Sequence, residues 1–313
     1  MQTTMLEKNA PYFVTITENN IDQRIDNFLT TQLKGLPRDR LYRILRKGEV
    51  RVNKKRIKPT YRLQEGDLVR IPPISLAAPT QPSLPSDKII QRLENGILYE
   101  DTQLLFLNKP SGVAVHGGSG ISLGVIEIMR HARPRLKFLE LVHRLDRDTS
   151  GCLVLAKKPS ILKELHALLV AHKVEKKYLA LVHGQWEHAE AFMVDVPLLK
   201  GQTRGGERIV RVDKTGKVAK TIFRLVKQFK DFALLEATLL TGRTHQIRVH
   251  ACHIGHPILG DQKYGDRHRD DAGIKRLFLH ASSIVFHLAS QEKTIKMDAP
   301  LDPELIVFMD ALS

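Results

Sequence analysis

The strongest pattern in the chain is LVHRLDRDTSGCLVLAKK, residues 141–158. It places the charged group HRLDRD between two apolar segments of the kind that form buried strands. The TSG that follows favours a tight turn, which would fix the direction of the charged loop. Asp146 lies between Arg144 and Arg147, and nearby cations favour the ionised form of a carboxylate. The pattern predicts either a functional carboxylate at a strand junction or an ordinary surface cluster of Arg and Asp.

A second pattern is TLLTGRTHQIRVHACHIGHPILGDQKYGD, residues 238–266. It predicts a strand followed by a helix that Thr244 caps. Ile247 and Ala251 are four positions apart on this helix, so both can face the core. Arg248 can then reach inward as the partner of a buried acid, which would be costly to bury without a cation.

Histidines in this second pattern raise the alternative of a metal site, since His at three-residue spacing can share one face of a helix. They are His245, His250, His253 and His256. No Cys pair or Glu completes a recognised zinc pattern, so we expect no metal. The glycines of HGGSG, residues 116–120, suggest a phosphate loop, but no Lys-Ser or Lys-Thr follows them. We interpret that loop as part of a substrate-binding surface.

Basic residues are concentrated between Arg38 and Arg62. Eleven Lys and Arg occur there against only Asp39 and Glu49, in a chain with 49 basic and 34 acidic residues and a formal charge of +15. A local excess of this kind predicts contact with a polyanion, and nucleic acid is the leading candidate. The alternative is a basic face that is merely solvated.

The residues around this basic region predict two helices and a small sheet. IDQRIDNFLTTQL has the periodicity of an amphipathic helix. PRDRLYRILRKG predicts a second helix, with Leu41, Ile44 and Leu45 on one stripe, basic residues on the other side, and Gly48 at its end. VRVNKKRI and YRLQEGDLVRIPP predict strands and turns. The Pro-rich stretch that follows predicts a linker.

From about residue 88 onward, strand and helix patterns alternate. ILYED, LLFLNKP, GCLVLAKK and KKYLALVHG predict strands, SILKELHALLVAHK predicts a helix, and TIFRLVKQF with FALLEATLL predicts a hairpin. Residues 201–217, GQTRGGERIVRVDKTGK, predict an exposed hairpin that could touch a substrate.

Bulk composition excludes some classes of protein. The 313 residues suffice for one large and one small domain, and 42% are apolar. No stretch approaches the roughly 20 apolar residues of a membrane span. No secretory signal is visible, and Cys152 and Cys252 are too few for a disulfide framework. We therefore expect a cytoplasmic protein.

These motifs resemble two known families. Residues 20–75 resemble an S4-type RNA-binding domain through QRIDNFL, the basic second helix and the pattern G-x-V-x-V-N. Nearly the whole chain resembles the RluA-type pseudouridine synthases, because K-P-S-G, H-R-L-D-x-x-T-S-G, K-x-Y-x-A and G-R-T-H-Q-I-R occur in this order. The S4 region, the linker length and HGGSG are similar to those of members that act on large-subunit ribosomal RNA.

The resemblance implies an α+β fold, in which an N-terminal S4-type RNA-binding domain is joined to a pseudouridine synthase catalytic domain. That catalytic domain is a mixed, largely antiparallel β-sheet with flanking helices. The expected divisions are an N-terminal extension (1–19), the S4-type domain (20–75), a linker (76–87) and the catalytic domain (88–313).

The resemblance also implies the site residues. Asp146 is the expected catalytic carboxylate, Arg248 pairs with it, and Tyr178 stacks on the uracil. Arg144 helps to displace the target base, and Ile247 lines the pocket. The other expected substrate-binding residues are Lys109, His116, Arg243 and His245. The residues expected to bind RNA through the S4 region are Arg38, Arg40, Arg43, Arg46, Lys47, Arg51, Lys54, Lys55 and Arg56.

The implied activity is the isomerisation of chosen uridines in large-subunit ribosomal RNA. The target nucleotide must be flipped from its stack. No cofactor is expected, because the reaction has no net redox change and loses no atoms, and we expect a monomer without a required protein partner. The sequence leaves open whether Asp146 attacks the ribose, adds to the uracil or removes a ribose proton. It also leaves open transfer RNA as the substrate, a noncatalytic RNA-binding protein and a metal-dependent hydrolase.

Overall fold

The computed structural model describes residues 10–17, 20–33, 36–74, 84–118, 123–188, 190–204, 207–265, 273–274 and 276–312. The chain divides into two compact units, Met1–Pro82 and Ser83–Ser313. Most of the Pro-rich segment expected to be a linker lies outside the described residues. Within the described ranges, no helix combines the length and the apolar character needed to cross a membrane.

The first unit contains two helices and a three-stranded antiparallel sheet in the order β1-β3-β2. Its elements are β1 (Tyr12–Thr15), α1 (Ile25–Gln32), α2 (Arg38–Lys47), β2 (Arg51–Val52) and β3 (Leu68–Ile71). Strand β1 lies within residues 1–19, which we expected to be an extension. Its four residues are too few for a periodic signal, and its pairing with β3 is a tertiary contact that local sequence does not encode.

The predicted apolar stripe of α2 is confirmed. Leu41, Ile44 and Leu45 are at most 4% exposed and pack in the core of the first unit. Burying each such side chain stabilises the fold by roughly 1.5–3 kcal/mol relative to exposure. Gly48 ends α2 in the left-handed conformation with φ 69°, as the sequence predicts. Arg43, Arg46 and Lys47 of α2 are exposed to solvent on the other side of the helix.

A buried acid joins the two helices of this unit. Asp26, in the first turn of α1, is 5% exposed. Arg24 donates hydrogen bonds to its carboxylate at 3.1 and 2.6 Å, and the Tyr42 hydroxyl of α2 donates another at 2.9 Å. Burial raises the pKa of Asp26, but the hydrogen bonds from Arg24 and Tyr42 outweigh it, so the pKa is lowered overall. The ionised carboxylate thus stabilises the packing of α1 on α2.

We expect Asp26→Asn to lower the Tm of the full-length protein at pH 7 and to lower it less as the pH falls below about 4. Because the pKa of Asp26 is lower in the folded than in the unfolded state, its contribution is complete above the unfolded pKa. That contribution is lost as the pH falls through the folded pKa. Thermal unfolding followed by circular dichroism between pH 3 and 7 measures the effect. Asp22→Asn, which removes an exposed ion pair with Arg62, is the control; an equal Tm loss for Asp26→Asn at pH 3 and 7 would contradict the prediction.

The second unit is a large sheet covered by helices on both faces. Its elements are α3 (Asp87–Glu94), β4 (Ile97–Glu100), β5 (Leu104–Lys109), α4 (Val125–Ala132), β6 (Glu140–Leu141), β7 (Ser150–Ala156), α5 (Pro159–Val170), β8 (Glu175–His183), β9 (Phe192–Asp195), β10 (Leu198–Arg204), β11 (Glu207–Val212), β12 (Lys220–Gln228), β13 (Phe232–Leu239), α6 (Gln246–His253), β14 (Leu279–Leu288), β15 (Lys293–Asp298) and α7 (Pro303–Asp310).

The strands of this sheet, as far as the described residues define it, follow the order β4-β5-β7-β14-β8-β13-β12-β9. Strand β6 pairs with β7, and β15 pairs with β14. Among the strand pairs that the structure describes, only β7–β14 is parallel, so the expected mixed and largely antiparallel sheet is confirmed. Strands β10 and β11 form a separate antiparallel hairpin, where the exposed hairpin was predicted.

Strand β7 is buried along its whole length. Leu153 and Leu155 face one core, which includes apolar residues of α3, α4, α6 and α7. Cys152 and Val154 face a second core, which includes residues of α5. Because both faces are covered, the strand has a continuous apolar sequence rather than an alternating one. This buried strand is the rigid support for the charged loop that precedes it.

A glycine brings β7 against β14 directly after that loop. Gly151 has φ 107°, and a Cβ atom there would lie 2.3 Å from the carbonyl oxygen of Ala281. The two residues pair in the parallel register, next to Ser150 and His280. Only glycine permits this backbone conformation together with so close an approach. The loop that carries Asp146 is therefore fixed at its downstream end.

Candidate active site

An open cleft of about 1060 Å³ lies in the second unit. Its described lining comes mainly from three segments: residues 111–118 after β5, 144–148 before β7, and 260–263 after α6. The cationic residues on its wall are Arg92, Arg144, Arg147, Arg248, Lys263 and Arg276. The acidic residues are Asp146, Asp148 and Glu304. Because cations are in excess, the cleft suits an anionic ligand of nucleotide size or larger.

Asp146 lies in this cleft with its side chain 27% exposed. Its Oδ2 atom is 3.5 Å from Nη1 of Arg248 and 3.8 Å from Nε2 of His245. The structure thus brings together the two charged patterns found in the sequence, which are about 100 residues apart. A partly exposed carboxylate between a guanidinium and an imidazole can approach a reacting sugar or base while its own orientation is held.

The loop that carries Asp146 is anchored to the surrounding backbone. Nε2 of His143 accepts a hydrogen bond from the N–H of Val154 in β7 at 3.2 Å. Burial lowers the pKa of His143 to about 4, so the ring is neutral and able to accept it. The Ser111 hydroxyl donates to the carbonyl oxygen of Asp148 at 2.7 Å. These contacts set the direction of Asp146 before any substrate arrives.

Lys109 contributes to the same anchoring, although we expected it to bind substrate. Its side chain is fully buried, and Nζ donates to the carbonyl oxygens of Pro110, Val113 and Arg147 at 2.8–3.0 Å. Burial lowers the pKa of Lys109 to about 7, although Asp148 and Asp146 oppose the shift. An ammonium group has three donors, and all three are used by backbone. The structure therefore places Lys109 as a link between two loops, out of reach of a ligand in the cleft.

Arg248 has a closer acidic partner than the one the sequence suggested. Nε and Nη2 donate to the two carboxylate oxygens of Asp261, both at 2.7 Å. Burial lowers the pKa of Arg248, but the hydrogen bond and charge of Asp261 raise it more, so the guanidinium stays protonated. Asp261 also accepts from the N–H groups of Lys263 and Tyr264. Arg248 is thus held rigidly by Asp261 and presents its remaining nitrogen to Asp146.

Sequence reasoning missed Asp261, which is only 1% exposed. No neighbour in the sequence marks it, because its cation lies 13 residues upstream. A usable signal was present, however: Asp261 begins the short turn DQKYG, and an acid in such a turn commonly accepts backbone N–H groups.

His245 begins the segment that leads into α6. We predicted that Thr244 caps this helix, and that prediction is wrong: the residue before α6 is His245, in the left-handed conformation with φ 54°, and no side chain caps it. The side chain of Gln246 instead accepts from the N–H of Arg243 and the hydroxyl of Thr241. This backbone turn directs the His245 ring towards the cleft, where burial lowers its pKa although Asp146 opposes the shift.

The other predicted site residues lie in different environments. Arg144 and His116 line the cleft. Tyr178 on β8 and Ile247 on α6 are buried, 7% and 4% exposed, and are not among the described residues of the cleft wall. Burial and then the charge of Asp146 raise the pKa of Tyr178. Arg243 is also outside the described wall and donates to the carbonyl oxygen of Val218. The substrate contacts expected of these residues remain predictions.

His250 and His256 of the second pattern have protein partners, whereas His253 is exposed. His250 is fully buried, with Nδ1 2.9 Å from the Thr221 hydroxyl and Nε2 3.2 Å from the carbonyl oxygen of Val196. Nδ1 of His256 is 2.9 Å from the carbonyl oxygen of His183. Within the described ranges, no three His, Cys, Asp or Glu residues group together in a way that could hold a metal ion.

The basic region, Arg38 to Arg62, belongs to the first unit. Its exposed members are Arg43, Arg46, Lys47, Arg51, Lys54, Lys55, Arg56, Lys58 and Arg62. Arg40 is half-buried, and the side chain of Arg38 lies outside what the structure describes. Asn53 and Lys54 both have positive φ, as in the tight turns that join hairpin strands. This turn places the Lys54–Arg56 segment at an exposed edge.

Comparison with known proteins agrees with these features. The family described as RNA pseudouridylate synthase matches residues 103–253, and the S4 domain matches residues 23–69. Over 309 residues the chain is 52% identical to ribosomal large subunit pseudouridine synthase C of Pasteurella multocida (strain Pm70), covering 97% of this chain and 94% of the relative. The protein of that name from Escherichia coli (strain K12) is 52% identical over 300 residues, with 93% of each chain covered.

A solved structure, human RNA pseudouridylate synthase domain containing 4, is also similar. It is 27% identical with a TM-score of 0.59, over 72% of this chain and 95% of that one. The matched family region contains the Asp146 loop and Arg248 of α6, which both line the cleft, and it also contains Tyr178. Given this identity along nearly the whole chain, the protein is an RNA pseudouridine synthase: it belongs to the RNA pseudouridylate synthase family and carries an N-terminal S4 domain.

Proposed function

We propose that this enzyme converts selected uridines of large-subunit ribosomal RNA to pseudouridine, with Asp146 as the catalytic carboxylate. The observation that supports this role is the position of Asp146 in a cation-lined cleft, 3.5 Å from a guanidinium that Asp261 holds in place. The names of the similar proteins from Pasteurella multocida and Escherichia coli support large-subunit ribosomal RNA as the substrate.

The reaction breaks the bond between N1 of uracil and C1′ of the ribose and forms a bond from C5 to C1′. A proton leaves C5 and one is gained at N1, so atoms and electrons balance without a cofactor. A carboxylate can attack the sugar or stabilise an oxocarbenium-like centre, as in glycoside cleavage. It can also add to the uracil ring or remove a ribose proton. In each case Arg248 orients Asp146, and Tyr178 is proposed to hold the base by stacking.

The target nucleotide must leave its stack to reach Asp146, at a cost of a few kcal/mol. Cations of the cleft can offset this cost by binding the phosphates on either side of the flipped nucleotide. Arg144 is exposed at the cleft wall, where we propose that it occupies the place of the displaced base. We further propose that the enzyme acts in the cytoplasm as a monomer.

The basic surface of the first unit is proposed to bind RNA phosphates. We expect the double substitution Arg43→Ala and Lys47→Ala, both exposed on α2, to weaken RNA binding. The negative slope of log affinity against log salt concentration should become shallower, by roughly 0.7 for each phosphate of single-stranded RNA that the variant no longer neutralises. Filter binding to a ribosomal RNA fragment at several salt concentrations measures it.

The matched control removes the same charge from the second unit. Lys158→Ala and Lys163→Ala change exposed lysines at the start of α5 and within it, and neither residue lines the cleft. If the α2 variant retains the wild-type salt slope, or if both variants reduce the slope equally, the S4 surface has no special role.

The substrate is tested by mapping pseudouridines in ribosomal and transfer RNA from cells with and without this protein. We expect particular pseudouridines of large-subunit ribosomal RNA to disappear and to return when the wild-type gene, but not an Asp146→Asn copy, is supplied. Loss confined to transfer RNA would contradict the proposed substrate while leaving the enzyme class intact.

A further inference from the structure

Tyr264 contacts both of the groups that flank Asp146. It lies in the turn after Asp261, and the guanidinium carbon of Arg248 is 5.1 Å from the centre of its ring. The ring of His245 is 5.5 Å away at an interplanar angle of 66°, and the Tyr264 hydroxyl is 2.7 Å from Nδ1 of His245. One side chain thus touches both Arg248 and His245, whose nitrogens lie 3.5 and 3.8 Å from the carboxylate.

The hydrogen bonds of the Tyr264 hydroxyl restrict where its proton can point. The N–H of Val210 in β11 donates to the hydroxyl oxygen at 3.0 Å, which occupies one lone pair. Among the described residues, Nδ1 of His245 is the one remaining hydrogen-bond partner of that oxygen, and it can accept the phenolic proton. Nδ1 then carries no proton, so the proton of the neutral imidazole is on Nε2, the atom that faces Asp146.

The surroundings of His245 favour the neutral ring. The charged groups that act on it are Asp146 and Asp261, which favour the imidazolium, and Arg248 and Lys263, which oppose it. Burial is the largest influence and lowers the pKa of His245. In the neutral ring, the nitrogen that carries the proton decides whether His245 offers Asp146 a donor or a lone pair.

We propose that Tyr264 is a positioning residue for the active site: its hydroxyl holds His245 in the Nε2–H tautomer while its ring supports the guanidinium of Arg248. Two donors are thereby aimed at Asp146. The same hydroxyl is bound to the backbone of Val210, so the β10–β11 hairpin is tied to this arrangement. The effect of Tyr264 on catalysis rests on the proposed catalytic role of Asp146. The tautomer of His245 does not depend on that role.

The tautomer is tested by ¹⁵N NMR of histidine-labelled full-length protein, with His245 assigned through a His245→Gln sample. We expect the wild type to show the Nε2–H form. Tyr264→Phe, which keeps the ring and removes the hydroxyl, should give a mixture of tautomers. The control Tyr99→Phe removes an exposed hydroxyl that is bonded to Asp101, and it should leave the His245 signals unchanged. An Nδ1–H form in the wild type, or identical spectra for wild type and Tyr264→Phe, overturns the proposal.

Activity provides a second readout. Loss of one oriented hydrogen bond should lower kcat of Tyr264→Phe roughly tenfold, with KM and Tm little changed. Tyr264→Leu, which also removes the ring beneath Arg248, should lower kcat further. The side-chain amide nitrogen of His245→Gln can replace Nε2–H, so adding Tyr264→Phe to that variant should cost less than about twofold if the hydroxyl acts through the tautomer. A full tenfold loss in the double variant shows that Tyr264 does not act through the tautomer of His245 and overturns the proposal.

The two hypotheses fail in different ways. If Asp146→Asn retains activity, the proposed chemistry is wrong, yet the NMR result for Tyr264→Phe still decides whether Tyr264 sets the tautomer of His245.

Discussion

Asp146→Asn is expected to abolish pseudouridine formation while leaving the fold and RNA binding nearly intact. The amide has the shape of the carboxylate but lacks its charge and its nucleophilic oxygen, so every version of the proposed chemistry fails. Loss of a residue of this kind lowers the rate by at least about 10³-fold. The fold should tolerate the change, since Arg248 keeps its bidentate partner Asp261. A contact of 3.5 Å to a partly exposed carboxylate contributes at most about 1 kcal/mol to stability.

Single-turnover formation of pseudouridine by purified protein measures this loss, with Tm and RNA affinity recorded in parallel. Asp148→Asn is the control, because Asp148 is also a carboxylate of the cleft, two residues away in the same loop. We expect that variant to lose less than about tenfold, since Asp148 is bonded to Arg147 and has no contact with Arg248 among those described. Undiminished product from Asp146→Asn would remove Asp146 from the mechanism.

Asp261→Ala is expected to have the largest effect on stability. It leaves the guanidinium of Arg248, 6% exposed, without the partner that accepts two of its hydrogen bonds at 2.7 Å. Breaking a buried ion pair from one side costs roughly 3–5 kcal/mol. Activity should fall as well, because Arg248 loses the support that directs it towards Asp146. Urea unfolding of the full-length protein, with activity measured under native conditions, checks both effects.

A double variant separates the effect on stability from the effect on activity, and a single variant is the control for an exposed ion pair. Replacing both partners, Arg248→Met with Asp261→Leu, removes the unpaired charge and should recover much of the lost stability without recovering activity. Glu140→Ala removes an exposed ion pair with Arg130 and should cost less than about 1 kcal/mol. If Asp261→Ala unfolds within about 1 kcal/mol of the wild type, the buried pair is not a structural requirement.

The sequence predicted the features that depend on local periodicity. The apolar stripe of α2 and its end at Gly48 are examples, because helix geometry places those positions on one face. The charged loop around Asp146 was also predicted, since it interrupts two apolar segments. Its contact with Arg248 followed from the resemblance rather than from spacing, because the two residues are 102 positions apart.

Features that depend on distant contacts were not predicted. Nothing in β7 indicates that β14 is its parallel neighbour, and the roles of Lys109 and Asp261 became apparent only when their buried hydrogen-bond partners were known. The left-handed turn at His245 was missed for a related reason. Its sequence favours a cap at Thr244, but contacts of Gln246 with Thr241 and Arg243 determine where α6 begins.

The side-chain hydrogen bond between Ser150 and His280 affects the order in which the RNA-binding fold and the catalytic loop form in a newly synthesised chain. These residues are 130 positions apart, so the loop before Ser150 is not locked until almost the entire polypeptide has been translated. N-terminal domains generally fold first, at synthesis rates of roughly 5–20 residues per second. A nascent chain therefore acquires its RNA-binding fold roughly 10–40 s before its catalytic loop is fixed.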